Sequence, residues 1–200
     1  GESLFNAVRT GNGTFAATPD PANGGTGTLD GGSVVDAALL DGHRYRLQFA
    51  VAAGATTYDV VDLTTATTVS GGNAFAPGAT ITVAGMQVTI SGSPAAGDQF
   101  TLEPTPRKSV FATVQDLIAT LRAPAATAAD RTKLVNGLGT ALQNLTQAQE
   151  AILTARAGQG ARMRELDSLS TGNDARLLQY ESTLSRLQDL DYNKALSDFA

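Results

Sequence analysis

His43 is the only histidine in the sequence, and imidazole is the side chain best suited to moving a proton near neutral pH. As a general base it would need a nucleophile and an orienting acid beside it. Its neighbours are Gly42 of a turn signal and Arg44 of a strand pattern, an ordinary place for a surface histidine. The chain has no cysteine, which excludes disulfides, thiolate zinc sites, iron–sulfur clusters and cysteine nucleophiles. Two carboxylate pairs, Glu165 with Asp167 and Asp189 with Asp191, lie two positions apart. That spacing is about 200° around a helix, so neither pair converges on a bond to be cleaved. Gly11-Asn12-Gly13 and Gly24-Gly25-Thr26-Gly27 lack the Gly-Lys-Ser/Thr ending of a phosphate loop. Asp30-Gly31-Gly32 and Asp41-Gly42 lack the regularly spaced carboxylates of a calcium loop and read as turns. No catalytic, cofactor-binding or metal-ligating residue is expected, and no enzyme.

The composition narrows the remaining classes. A chain of 200 residues holds one medium domain or two small ones. A net charge of −5 offers no basic footprint for nucleic acid, and no apolar run approaches the roughly 18 residues of a membrane span. Gly1-Glu2-Ser3-Leu4-Phe5 lacks the basic start and apolar stretch of a secretory signal peptide. The expectation is a cytosolic protein, one exported by another route, or a fragment. Residues 1–106 hold 16 of the 21 glycines and six of the seven prolines, with nine acidic residues against three basic. The remainder is Leu- and Ala-rich, with 11 basic residues against 10 acidic. The first part reads as short strands and turns, the second as helix.

In the first part Tyr45, Leu47, Phe49 and Val51 alternate with Arg44, Arg46, Gln48 and Ala50, the pattern of a half-buried strand. Thr57 to Leu63 is the next strand, after Ala53-Gly54. Ile81 and Val83 are expected to face Val88 and Ile90 across Gly85, a hairpin glycine. Gln99 to Glu103 forms a strand with Phe100 and Leu102 inward. Thr18 to Gly32, rich in Gly, Pro and Asn, reads as an exposed loop.

The second part opens at Thr105-Pro106, a cap and a first-turn proline. Val110, Val114, Leu117, Ile118 and Leu121 mark one face of a helix that Pro124 stops. Thr127 and Asp130 form a capping-box pattern with Asp in place of Glu or Gln. A heptad then runs through Leu134, Leu138, Ala141, Leu145, Ala148, Ile152 and Ala155, and a second through Met163, Leu166, Ser170, Asn173, Leu177, Tyr180, Leu184 and Leu187. Joining them requires a four-residue stutter near Gly158 and Gly160, where a kink is the alternative. The fold class is therefore α+β. A small antiparallel β domain at 1–104 precedes a helical region at 105–200, with helices at about 107–122 and 128–197.

One helix over 128–197 spans on the order of 100 Å, and the helix before it only about 24 Å. An apolar stripe must be buried against something. About ten apolar side chains stay uncovered, and half-burying them is worth up to roughly 10 kcal/mol, a whole domain's stability. Another chain, another copy, or a part of the protein outside this sequence must cover them. The inter-helix contacts are expected at Leu134, Leu138, Leu145, Ile152, Leu166, Leu177, Leu184 and Leu187.

Several stretches resemble the bacterial flagellar hook–filament junction protein family, hook-associated protein 3, which is flagellin-like. Ala155-Arg156, Gly160-Ala161-Arg162 and Glu165-Leu166-Asp167 are similar to the long C-terminal helix of that family's rod domain. Leu184-Ser185, Leu187 and Asp189-Leu190-Asp191-Tyr192 resemble its flagellin-type ending. Ser91 to Phe100 resembles the end of its β domain, and Ser109-Val110-Phe111 with Gln115-Asp116-Leu117-Ile118 the helix that follows.

The resemblance implies a structural subunit, exported unfolded through the flagellar secretion channel without a cleaved signal peptide and located extracellularly in the flagellum. Its implied partners are flagellin, the hook-side junction protein, other copies of itself in a ring, and an export chaperone before secretion. The resemblance also implies that this sequence is the C-terminal part of a longer protein, whose N-terminal helices run antiparallel to the long helix and cover its stripe. Two other functions stay open: a flagellin filament subunit, and a carbohydrate-binding adhesin module on a helical stalk.

Overall fold

The computed structural model describes residues 5–199, without the side chains of 189–193. The Asp189/Asp191 pair and Tyr192 therefore lie outside the described side chains. The chain divides into two compact units, Gly1–Ile152 and Leu153–Ala200.

Among the described residues the first unit contains eleven strands, nine of them in two antiparallel β-sheets and two in a separate short pair. The larger sheet has the order β2-β10-β5-β6-β7, formed by β2 (Phe15–Pro19), β5 (Tyr45–Ala52), β6 (Ala55–Asp62), β7 (Thr67–Ala74) and β10 (Gln99–Pro104). The second centres on β9 (Met86–Ser91). One edge of β9 pairs with β3 (Thr28–Leu29) and β4 (Ser33–Val34), the other with β8 (Thr80–Val83). The inward residues of both sheets form one core in which Leu47, Val88, Ile90, Phe100 and Leu102 are fully buried. Phe49 is its aromatic centre, meeting Phe75 and Phe100 edge-on at centroid distances of 5.1 and 5.6 Å, a favoured arrangement of ring quadrupoles.

The alternation expected of Tyr45, Leu47 and Phe49 is observed, but Val51 is exposed, beyond the end of the core. The hairpin β8–β9 turns through Ala84 and Gly85, both at positive φ, so Val83 pairs with Met86 and Ile81 with Val88. Of the residues expected to face each other, Ile81 meets Val88, whereas Val83 meets Met86 rather than Val88 or Ile90, because a two-residue turn sets a tighter register.

Thr18 to Gly32 is not a simple exposed loop. It contains the end of β2 and all of β3. The buried Asp98 carboxylate accepts from the Gly24, Gly25 and Ala95 amides. Charge-assisted bonds from the Gly24 and Gly25 amides hold this glycine-rich tract to Asp98.

Thr105-Pro106 does not cap a helix. Thr105 donates through its backbone and hydroxyl to Thr14 and Thr10. The next residues form β11 (Arg107–Lys108), which pairs with β1 (Val8–Arg9). Helix α1 (Val110–Arg122) starts three residues later than expected, with the Ser109 hydroxyl accepting from the Phe111 amide. It stops just before Ala123 and Pro124, as proline's effect on the preceding residue requires. Helix α2 (Ala128–Asp198) begins with the expected capping box. The Thr127 amide donates to Asp130 and the Asp130 amide to the Thr127 hydroxyl, at 3.0 and 3.1 Å. Gly158, Gly160 and Gly172 are all helical.

Candidate assembly surface

In the first unit, α2 uses two faces differently. Thr132, Asn136, Ala141, Asn144 and Ala148 are buried. Asn136 accepts from the Leu29 amide at 2.9 Å and donates to the Gly27 carbonyl at 3.1 Å. Asn144 accepts from the Gly11 amide, and Gln143 donates to the Gly31 carbonyl, both at 2.9 Å. Side-chain amides thus tie the helix to backbone that no sheet ladder satisfies. Sequence reasoning missed this face. Its signal was the recurrence of Thr132, Asn136, Thr140, Gln143 and Gln147 at helical spacing.

Helix α1 lies against this part of α2, where Gly137 leaves room for Thr120. A cavity of about 410 Å³ opens between α1, α2 and residues 18–27, lined among others by Thr113, Thr120, Thr132 and Lys133. The hydroxyls of Thr113, Thr120 and Thr132 bond back to Ser109, Asp116 and Ala128 of their own helices. Their hydroxyl donors are spent locally.

The remaining apolar side chains face away from this interior. Phe111, Val114, Ile118 and Leu121 of α1 are exposed, as are Val135, Leu138 and Leu142 of α2. Among the expected contact residues, Leu134, Leu145 and Ile152 are half-buried and Leu138 is exposed. They share one face with the buried Ala141 and Ala148. In the second unit Leu166, Leu177, Leu184 and Leu187 are exposed, together with Met163 and Tyr180.

His43 has no catalytic company among the described residues. Its Nδ1 lies 2.8 Å from the buried Asp62 carboxylate. The hydrogen bond to Asp62 raises the imidazole above its ordinary pKa, against partial desolvation, with the Asp41 charge adding to the rise. Burial opposes the charge of Asp62, yet bonds from His43, Thr64 and Thr65 outweigh it and hold its pKa near about 2. Burial and the bond to Asp41 push the Tyr45 hydroxyl up. The cluster fastens the start of β5 to the turn after β6 and offers no nucleophile. Among the described residues no group of three His, Asp or Glu side chains could hold a metal ion, and no described helix is long and apolar enough to cross a membrane. The strand aromatics Tyr45, Phe49 and Phe100 are core residues.

No protein-family model matches the chain, and no curated protein matches it in sequence. Solved structures do. A flagellar hook-associated protein 3 from Legionella pneumophila superposes with a TM-score of 0.88 at 27% identity, over 95% of this chain and 60% of that one. FlgL from Xanthomonas campestris gives 0.79 at 32% identity, over 92% and 58%. The flagellar junction protein FlgL from Legionella pneumophila gives 0.79 at 26%, over 88% and 57%. The chain thus spans about three-fifths of the length of the proteins it matches. In fold, and at 26 to 32% identity, the chain is similar to these flagellar hook-associated protein 3 and FlgL junction proteins.

Proposed function

We propose that this chain supplies part of a structural subunit of the bacterial flagellum at the hook–filament junction, acting by helix packing rather than catalysis. The observation that carries the proposal is the apolar side left bare on both helices of the first unit, Phe111, Ile118 and Leu121 on α1 with Val135, Leu138 and Leu142 on α2. Contiguous exposed apolar surface marks an interaction site, and the similar proteins are longer than this chain. In this reading Leu134, Leu138, Leu145, Ile152, Leu166, Leu177, Leu184 and Leu187 contact helices from the rest of the protein and from neighbouring subunits. The helical region at 105–200 forms the packed rod and the β domain at 1–104 faces outward. Flagellin, the hook-side junction protein and further copies in a ring are the partners, met after chaperone-assisted export to the extracellular flagellum.

Two measurements test the proposal. A strain deleted for the gene should carry bare hooks and shed flagellin into the medium, and normal filaments would refute the junction role. In the full-length protein, Leu145→Asp with Ile152→Asp should lower the melting temperature and block complementation of that strain. An unchanged melting curve would refute the packing role of these two residues.

A further inference from the structure

The two sheets of the first unit leave an opening on one side. A cleft of about 330 Å³ is lined by Tyr45, Tyr58, Val60, Val69, Asn73 and Val83, with Ser70, Thr82 and Ala84 completing it. Every lining residue is uncharged. Two strands border it, and each ends its sheet. β7 is the last strand of the larger sheet, and β8 pairs only with β9 among the described residues.

The backbone of the β8 edge is turned outward, whereas on β7 the Gly72 amide is already taken by the Asp59 carboxylate. The turn at Ala84-Gly85 makes Val83 and Met86 the closing pair of the hairpin, and hydrogen-bonded pairs alternate from there. Thr82 and Thr80 therefore point their N–H and C=O groups away from β9, toward the open edge. β7 is exposed along most of its length, and its eight residues include no charge and no proline. Natural edge strands ordinarily carry such guards against pairing.

We propose that the cleft between β7 and β8 receives an extended, uncharged segment of a partner polypeptide. Such a segment adds a strand to both edges and places an aliphatic side chain between Tyr58, Val69 and Val83. Strand addition of this kind draws affinity from main-chain bonds and specificity from pockets for alternate side chains. Only a segment outside any sheet can serve, because a strand already paired has one edge spent on its own neighbour. The β7 of a second copy is excluded on that ground. A helix has no backbone groups left to offer.

The test titrates the whole chain with a blocked hexapeptide of alternating threonine and valine, read by amide shifts and hydrogen exchange. Exchange should slow at least tenfold in β7 and at Thr80 and Thr82 together. Thr82→Pro removes an outward donor without touching the β9 ladder and should weaken binding at least fivefold. Val69→Lys, at an exposed position, should do the same by placing a charge at the cleft. The proposal is overturned by no binding at millimolar peptide or by protection of one edge alone. It is equally overturned by shifts at Tyr58 and Val83 without edge protection, the mark of a cleft that takes only small molecules.

Discussion

Replacing Asn136 by Leu removes the side chain that ties α2 to the glycine-rich tract while keeping its size. Asn136 is 7% exposed, and its amide serves both the Leu29 N–H and the Gly27 C=O. Leucine leaves both backbone groups facing hydrocarbon. Each orphaned buried group costs about 1–3 kcal/mol. β3 is only two residues long, so it can shift and admit water, and a loss of about 2–4 kcal/mol is expected. For a chain of this size that lowers the melting temperature by roughly 4–16 °C. Near-UV circular dichroism follows the tyrosines and phenylalanines of the β core through the transition. Amide exchange at Leu29 gives a local reading and should accelerate at least tenfold. Gln143→Leu deletes a single bond to Gly31 at a half-buried site and should cost about 1 kcal/mol. A loss below about 0.5 kcal/mol for Asn136→Leu, or an unchanged Leu29 amide, would refute the clamp.

Three further outcomes follow from the same geometry. Stability should plateau between about pH 4 and 6.5: Asp62, ordinarily 3.8 and here near about 2, contributes above 3.8 and loses that contribution toward pH 2. His43, raised from 6.5, contributes fully below 6.5 and less as pH rises through its folded value; His43→Gln should flatten the alkaline decline in urea midpoints, and parallel curves above pH 6 would count against the pair. Gly85→Ala should cost at least about 2 kcal/mol by urea unfolding, since φ is +77° and the new methyl meets the Asp36 carbonyl, whereas Gly42→Ala, at φ +75° with open space, should cost only about 1 kcal/mol. Thr127→Ala should cost about 1 kcal/mol and speed exchange at Asp130; an unaltered Asp130 amide would show that the cap is not formed.

Local rules were legible where the determinants are local. The alternation in β5, the capping box at Thr127 and the hairpin glycine at Gly85 each involve neighbours within a few residues. The β1–β11 pairing was not legible, because two-residue strands nearly a hundred positions apart carry no pattern of their own. β7 escaped for another reason: Thr67-Thr68-Val69-Ser70-Gly71-Gly72 has no period-two apolar face, and its register shifts at Val60. Within the assembly surface, the leucine spacing was plain in sequence. The amides of Asn136, Gln143 and Asn144 passed unnoticed because a search for apolar periodicity gives polar side chains no weight. Their importance comes from unpaired backbone at Gly11, Gly27, Leu29 and Gly31, which only the folded chain brings to the helix.

The clasp of Val8–Arg9 on Arg107–Lys108 has a consequence for how such a protein can change. Thr10 and Thr105 bond to Pro106 and Thr14 just inside it, so the polypeptide crosses into the strand-rich segment and back out through one doorway. Strands beyond that doorway that α2 does not hold, such as β6 and β7, can change in length without altering the spacing of the flanking chain.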